Sequence, residues 1–200
     1  NAFAAISLST ALALPALAAL KQGVSAPTFS ARAWLAGKDF EFSLAEALKK
    51  GPVVVYFYPS AYTGGCNIEA HTFAVNKDKF DAAGATIIGV SHDNIARLNE
   101  FSAGPAYCAG KFPVASDPDG AIAKSYDLTI TPGKSGDKDT RGAEIGHAFT
   151  QRVTFVIAPD SRIAVTLASS PEQKITPEDH VMRSRAAVAA AGGGGPDDHR

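Results

Sequence analysis

The chain has 200 residues, 46% of them hydrophobic and 20% charged, and a formal net charge of −1. That apolar content can build a core, which excludes wholesale disorder, and the balanced charge without a basic stripe excludes a nucleic-acid partner. Two cysteines, Cys66 and Cys108, are too few for a Cys-rich zinc site, and leave one disulfide or redox chemistry.

Residues 1–20 are apolar and Ala-rich and end in Pro15-Ala16-Leu17-Ala18-Ala19, an A-x-A pattern suited to a signal peptidase. They read as a signal peptide without its charged beginning, and so as periplasmic or other export. Alanine, serine and threonine drive membrane insertion weakly, so no stable membrane association is expected. Residues 21–190 read as one domain, and the Gly-rich residues 191–200 as a disordered tail.

Within the domain, Phe40-Glu41-Phe42 alternates, and Ser43 to Glu46 forms a capping box for a short helix. Val53 to Tyr58 is a continuous apolar run, suited to a central strand buried on both faces. Cys66 to Ala83 carries Ile68, Phe73, Val75 and Phe80 at roughly helical spacing, and Gly84 can close that helix. Ala85 to Ser91 is a second buried strand. Asp93 is expected to cap a helix through Phe101, with Cys108 at the end of the same helix. A short extended piece, Phe112–Ala115, precedes the turn Asp117–Gly120 and a helix to about Tyr126. Residues 131–147 read as an exposed loop. His147–Ile157 and Arg162–Leu167 follow as two strands, and Thr176-Pro177-Glu178-Asp179 starts a last helix to about Ala190. This order describes an α/β protein of thioredoxin-like fold, a mixed central sheet flanked by helices on both faces.

The chemistry gathers where a buried strand runs into Pro59-Ser60-Ala61-Tyr62-Thr63-Gly64-Gly65-Cys66. In open α/β sheets, sites form at the C-terminal ends of strands. A cysteine in the first turn of a helix faces unsatisfied N–H groups, which favour its thiolate. Gly64 and Gly65 let backbone amides approach a bound oxygen, Thr63 offers a hydroxyl, and Pro59 stiffens the loop.

Pro59-x3-Thr63-x2-Cys66 resembles the peroxiredoxin signature, and Cys66-Asn67-Ile68-Glu69-Ala70 resembles that of the peroxiredoxin Q (bacterioferritin comigratory protein) subfamily. Arg152-Val153-Thr154-Phe155-Val156-Ile157 is similar to the family's R-x-T-F-x-I strand, and the likeness extends over roughly residues 21–170. The resemblance implies a thiol-dependent peroxidase that reduces hydrogen peroxide and organic hydroperoxides. Cys66 is then the peroxidatic residue, and Arg152 and Thr63 stabilise the leaving oxygen. No cofactor or metal is implied. A thioredoxin-like protein is the implied reductant and a monomer the implied state.

Several positions depart from the family pattern. Gly64 stands where proline is frequent, and Ala158 and Arg162 alter the last hairpin. His71 stands five residues after Cys66, where many members carry the resolving cysteine, so the resemblance passes that role to Cys108. Local unwinding would then be needed to join the two sulfurs. Glu69 is either an orienting partner for Arg152 or an exposed acid on the helix face. Cys108 remains open as a resolving residue, a structural staple or a bystander. The alternatives are a one-Cys peroxidase and a thioredoxin-fold redox or binding protein without peroxidase activity. A disulfide reductase needs C-x-x-C, and position 63 is threonine. A copper-delivery module needs a second cysteine at position 70, which is alanine. His71, His92 and His147 show no ligand spacing and read as surface residues.

Overall fold

The structure is a computed structural model that describes residues 19–169 and 174–192. Seven strands form one sheet: β1 (Ser30–Leu35), β2 (Lys38–Ser43), β3 (Val53–Phe57), β4 (Thr86–Ser91), β5 (Val114–Ser116), β8 (Val153–Ile157) and β9 (Ile163–Ala168). Two more, β6 (Ile130–Thr131) and β7 (Phe149–Thr150), make a small separate ribbon. The helices are α1 (Leu44–Leu48), α2 (Gly64–Ala82), α3 (Ile95–Ala103), α4 (Ala121–Ser125) and α5 (Pro177–Gly192). In the large sheet the order is β2-β1-β5-β4-β3-β8-β9, with β3, β4 and β5 parallel and the remaining pairings antiparallel.

The apolar run of β3 explains its central place. Val53, Val55 and Phe57 join one core with Leu44, Ala123 and Phe155, under α1 and α4. Val54 and Tyr56 join a second core on the opposite face with Phe73, Phe101 and Val181, under α2, α3 and α5. A strand between two helical layers has no solvated face and needs no polar alternation. The mixed sheet flanked by helices on both faces is therefore as expected. Glycine at position 89 of β4 is required by this packing. A Cβ there would lie 2.6 Å from the ring of Tyr56.

Five details correct the sequence reading. The hairpin β1–β2 begins earlier than the Phe40–Phe42 alternation suggested, and β1 was missed. On α2 the buried stripe is Cys66, Glu69, Ala70, Phe73, Ala74 and Phe80, while Ile68 and Val75 face solvent. Asn94, not Asp93, caps α3, its side chain accepting from the Arg97 amide; Asp93 is buried elsewhere. Helix α3 ends at Ala103, so Cys108 sits in a series of turns beyond it. The reason is Pro105, which forces the preceding Gly104 out of the helical region (φ −62°, ψ 123°). Finally, residues 131–147 do more than line the surface: Asp139 and Ile145 are buried.

Ala19 and Leu20, assigned above to the leader, pack against the domain; the Leu20 amide donates to the Tyr126 carbonyl. Residues 1–18 and 193–200, with most of the expected leader and tail, lie outside the described residues. Among the described residues no helix is long and apolar enough to cross a membrane.

Candidate active site

The register of the sheet assembles the site. β8 runs antiparallel to β3, with Val153 opposite Phe57. Arg152, one residue before β8, therefore lies at the C-terminal end of β3, where the chain turns through Pro59–Thr63 into α2. Thr63 is the N-cap of α2 in extended conformation, and its carbonyl accepts from the Asn67 amide at 2.8 Å. Cys66, in the first turn, keeps only 2% of its surface exposed. Arg152 Nη2 donates to Cys66 Sγ at 3.2 Å. The close approach depends on Gly65, where a Cβ would stand 3.0 Å from Arg152 Nη2.

Glu69, one helical turn beyond Cys66, is fully buried and pairs with Arg152 Nη1. The exposed-acid reading of Glu69 is thereby excluded. Thr154 Oγ1 lies 3.4 Å from Glu69 Oε1 and 2.9 Å from Nδ1 of His180 on α5. The other ring nitrogen of His180 is 2.8 Å from Ser169 Oγ. A buried polar chain thus runs from the thiol through Arg152 and Glu69 to α5. Burial pushes Glu69 up to about 7 against the pull of Arg152. Burial and the Arg152 charge push His180 down to about 4, leaving it neutral.

Thr63 Oγ1 donates to the Ser60 carbonyl at 2.9 Å. Around Cys66, burial raises the thiol above its ordinary value, while Arg152, Thr63 and the Ser60 backbone pull it down. The expected lowering is corrected on this point. The cation and donors are in place, but with the site closed the loss of water outweighs them.

A profile of the AhpC/TSA family matches residues 22–166. The chain belongs to that family. It is 33% identical to Peroxiredoxin Bcp of Xanthomonas campestris over 111 residues, which are 56% of this chain and 62% of that protein. It thus spans less than two thirds of that curated relative. It is 30% identical to Peroxiredoxin Bcp of Escherichia coli K12 over 144 residues, 72% of this chain and 83% of that one. Among solved structures, Xanthomonas campestris Peroxiredoxin Q is 27% identical with a TM-score of 0.61, over 80% of this chain and 90% of that chain. Peroxidoxin BcpB from Mycobacterium tuberculosis shares the fold, with a TM-score of 0.69 at 24% identity, over 86% and 97% of the two chains.

Within this AhpC/TSA fold the second thiol, Cys108, has no exposed surface, and burial raises its pKa. It shares one apolar core with Cys66, and both thiols are free. Pro59 is half-buried at the start of the site loop.

Two histidines differ from expectation. His92 is buried, with Nδ1 2.7 Å from the Asp117 carbonyl and Nε2 2.6 Å from Thr150 Oγ1. His147 is half-buried, with Nε2 2.9 Å from Asp93 Oδ1. His71 is exposed as expected. Sequence reasoning missed Ser169 and His180 altogether, and named Thr154 only as part of the R-x-T-F-x-I strand, without its place in this polar chain. Their partners lie on other elements, and a single histidine on a helix carries no local signal of that environment.

Proposed function

We propose that the protein is a thiol peroxidase acting on hydrogen peroxide and organic hydroperoxides. The observation that carries the reading is the Arg152 guanidinium donating to a cysteine thiol at a helix start. In the first half-reaction the Cys66 sulfur attacks the terminal peroxide oxygen. An S–O bond forms and the O–O bond breaks. The thiol proton ends on the leaving oxygen, which departs as water or alcohol, and Cys66 is left as sulfenic acid. Arg152 acts twice, stabilising the thiolate against burial and the charge developing on the leaving oxygen. Glu69 holds the guanidinium flat against both. A planar fork can serve carboxylate and sulfur together, which a lysine ammonium on a flexible stem does less well.

In the second half-reaction the Cys108 sulfur attacks the Cys66 sulfur. An S–S bond forms, the S–O bond breaks, and the oxygen leaves as water with the Cys108 proton. A thioredoxin-like dithiol then reduces the disulfide. The names of the relatives support the peroxidase reading, and the apolar residues 1–18, with Ala16-Leu17-Ala18 as an A-x-A pattern, support export to the periplasm or an equivalent compartment.

Consumption of hydrogen peroxide by wild type and Cys66→Ser, with thioredoxin and its reductase, tests the proposal. Turnover is expected in wild type and none in the variant, because a serine hydroxyl yields no useful alkoxide at neutral pH. Comparable activity in both would remove Cys66 from the chemistry.

A further inference from the structure

Three successive residues of the site loop are held from outside by a polar cluster that the peroxide chemistry does not use. Asp93 accepts from Ser60 Oγ at 3.1 Å and from the Ala61 amide at 2.7 Å. Arg97 donates to the Ala61 carbonyl, to Asp93 and to Asp139, each at 2.9 Å. The Tyr62 carbonyl accepts twice from Thr140, from its amide at 2.9 Å and its hydroxyl at 2.8 Å. Arg141 lies over the Tyr62 ring, 3.3 Å from the centroid, and is itself fixed by Asp139.

Tyr62 is where these contacts meet the two thiols. It is buried, and its φ of 62° puts it in the left-handed region, which an L-residue other than glycine enters only when held there. Its ring stands edge-on to Tyr107, with centroids 5.0 Å apart, and to Phe101 at 5.1 Å. Tyr107 immediately precedes Cys108. One side chain therefore touches the loop that carries Cys66, the 139–141 segment, and the turns that carry Cys108.

We propose that Thr140 and Arg141 are positioning residues that clasp Tyr62, keep the Cys66 loop closed, and so set how fast Cys108 reaches oxidised Cys66. The inference rests on the resolving role of Cys108 given above. Both thiols are buried and free, and Tyr62 joins the loop before Cys66 to the turn before Cys108, so opening of that loop releases Tyr62 from Arg141 and Thr140. A tighter clasp prolongs the life of the sulfenic acid. During that time a second peroxide can transfer an oxygen to it, giving sulfinic acid and water. The clasp thus sets the partition between resolution and over-oxidation, without touching peroxide.

The test is rapid mixing of reduced protein with hydrogen peroxide, followed by quench and mass analysis of disulfide and sulfinic forms. Thr140 and Arg141 are both exposed, so their replacement should leave a folded protein. Thr140→Ala and Arg141→Ala should each speed disulfide formation by about two- to fivefold, the scale expected for losing one hydrogen bond or one cation–π contact. The peroxide concentration that over-oxidises half of Cys66 should rise in the same ratio. The first reaction with peroxide should stay within about twofold of wild type, since neither residue touches the thiol. Thr140→Ser, which keeps the hydroxyl, should behave as wild type. A clasp is ruled out if the alanine variants resolve at the wild-type rate or more slowly while wild type forms the Cys66–Cys108 disulfide. Absence of that disulfide in wild type would overturn the resolving role of Cys108, and the clasp with it.

Discussion

Arg152 has two partners with opposite demands. Glu69 fixes the guanidinium by its negative charge, and that same charge raises the Cys66 thiol. The short approach of Nη2 to the sulfur offsets this, with help from Thr63 and the Ser60 backbone, and that approach depends on residue 65 having no Cβ. Arg152→Met should therefore raise the Cys66 pKa further and slow the reaction with peroxide by more than about tenfold, a loss of at least about 1.4 kcal/mol of differential stabilisation. Thiolate absorbance against pH and stopped-flow rates would check both halves. An unchanged rate would mean that Arg152 is a structural counter-ion to Glu69 alone. Gly65→Ala should act in the same direction more weakly, because the guanidinium is the end of a flexible side chain and can shift.

Helix α5 closes the far side of the site through His180, which lies against Thr154 and Ser169 without exposed surface. Burial and the neighbouring cations Arg152 and Arg183 depress its pKa to about 4, against the weaker pull of Asp179. A depressed histidine contributes stability above its unfolded value of about 6.5, and that stability is lost as pH falls from there toward about 4. In an NMR titration the His180 ring should stay neutral down to about pH 5. A normal titration of His180 would show that α5 does not seal the site.

His147, beside the clasp, has the opposite sign. Burial lowers its pKa, but the Asp93 hydrogen bond, the Ala148 carbonyl and the Asp93 charge outweigh burial and raise it; Arg97 opposes them. Its contribution is complete below about pH 6.5 and is lost as pH rises through the folded value. The destabilisation caused by His147→Gln, measured by urea unfolding, should therefore shrink between pH 6 and pH 9. A constant difference would mean that the imidazole acts without its charge.

The same elements show what was legible in the sequence. The apolar run of β3, the Pro59-to-Cys66 turn, Arg152 before β8 and the Thr176-Pro177 helix start are local patterns and appear in the structure. Strand β1 was not legible, because its inward residues include the small Ala31 and Ala33, which give little alternation. Asp93 and Cys108 were misplaced, since a cap at the next residue and a helix end before proline each shift the assignment. The clasp was invisible because its partners lie far apart in the chain, and only folding brings Tyr62 to Thr140.

For the whole molecule, the central feature is two buried, free thiols in one apolar core, Cys66 in the first turn of α2 and Cys108 in the turns after α3. Cys108→Ser should leave the first reaction with peroxide intact. It should then stall as sulfenic acid or proceed to sulfinic acid with thioredoxin as sole reductant, because such a donor attacks disulfides. Normal turnover of that variant would make the enzyme one-Cys. The most direct measurement is the non-reducing mass and peptide map of wild-type protein after one equivalent of hydrogen peroxide. The account predicts a monomer lighter by two hydrogens with Cys66 joined to Cys108; a protein heavier by one or more oxygens, or a disulfide-linked dimer, would contradict it.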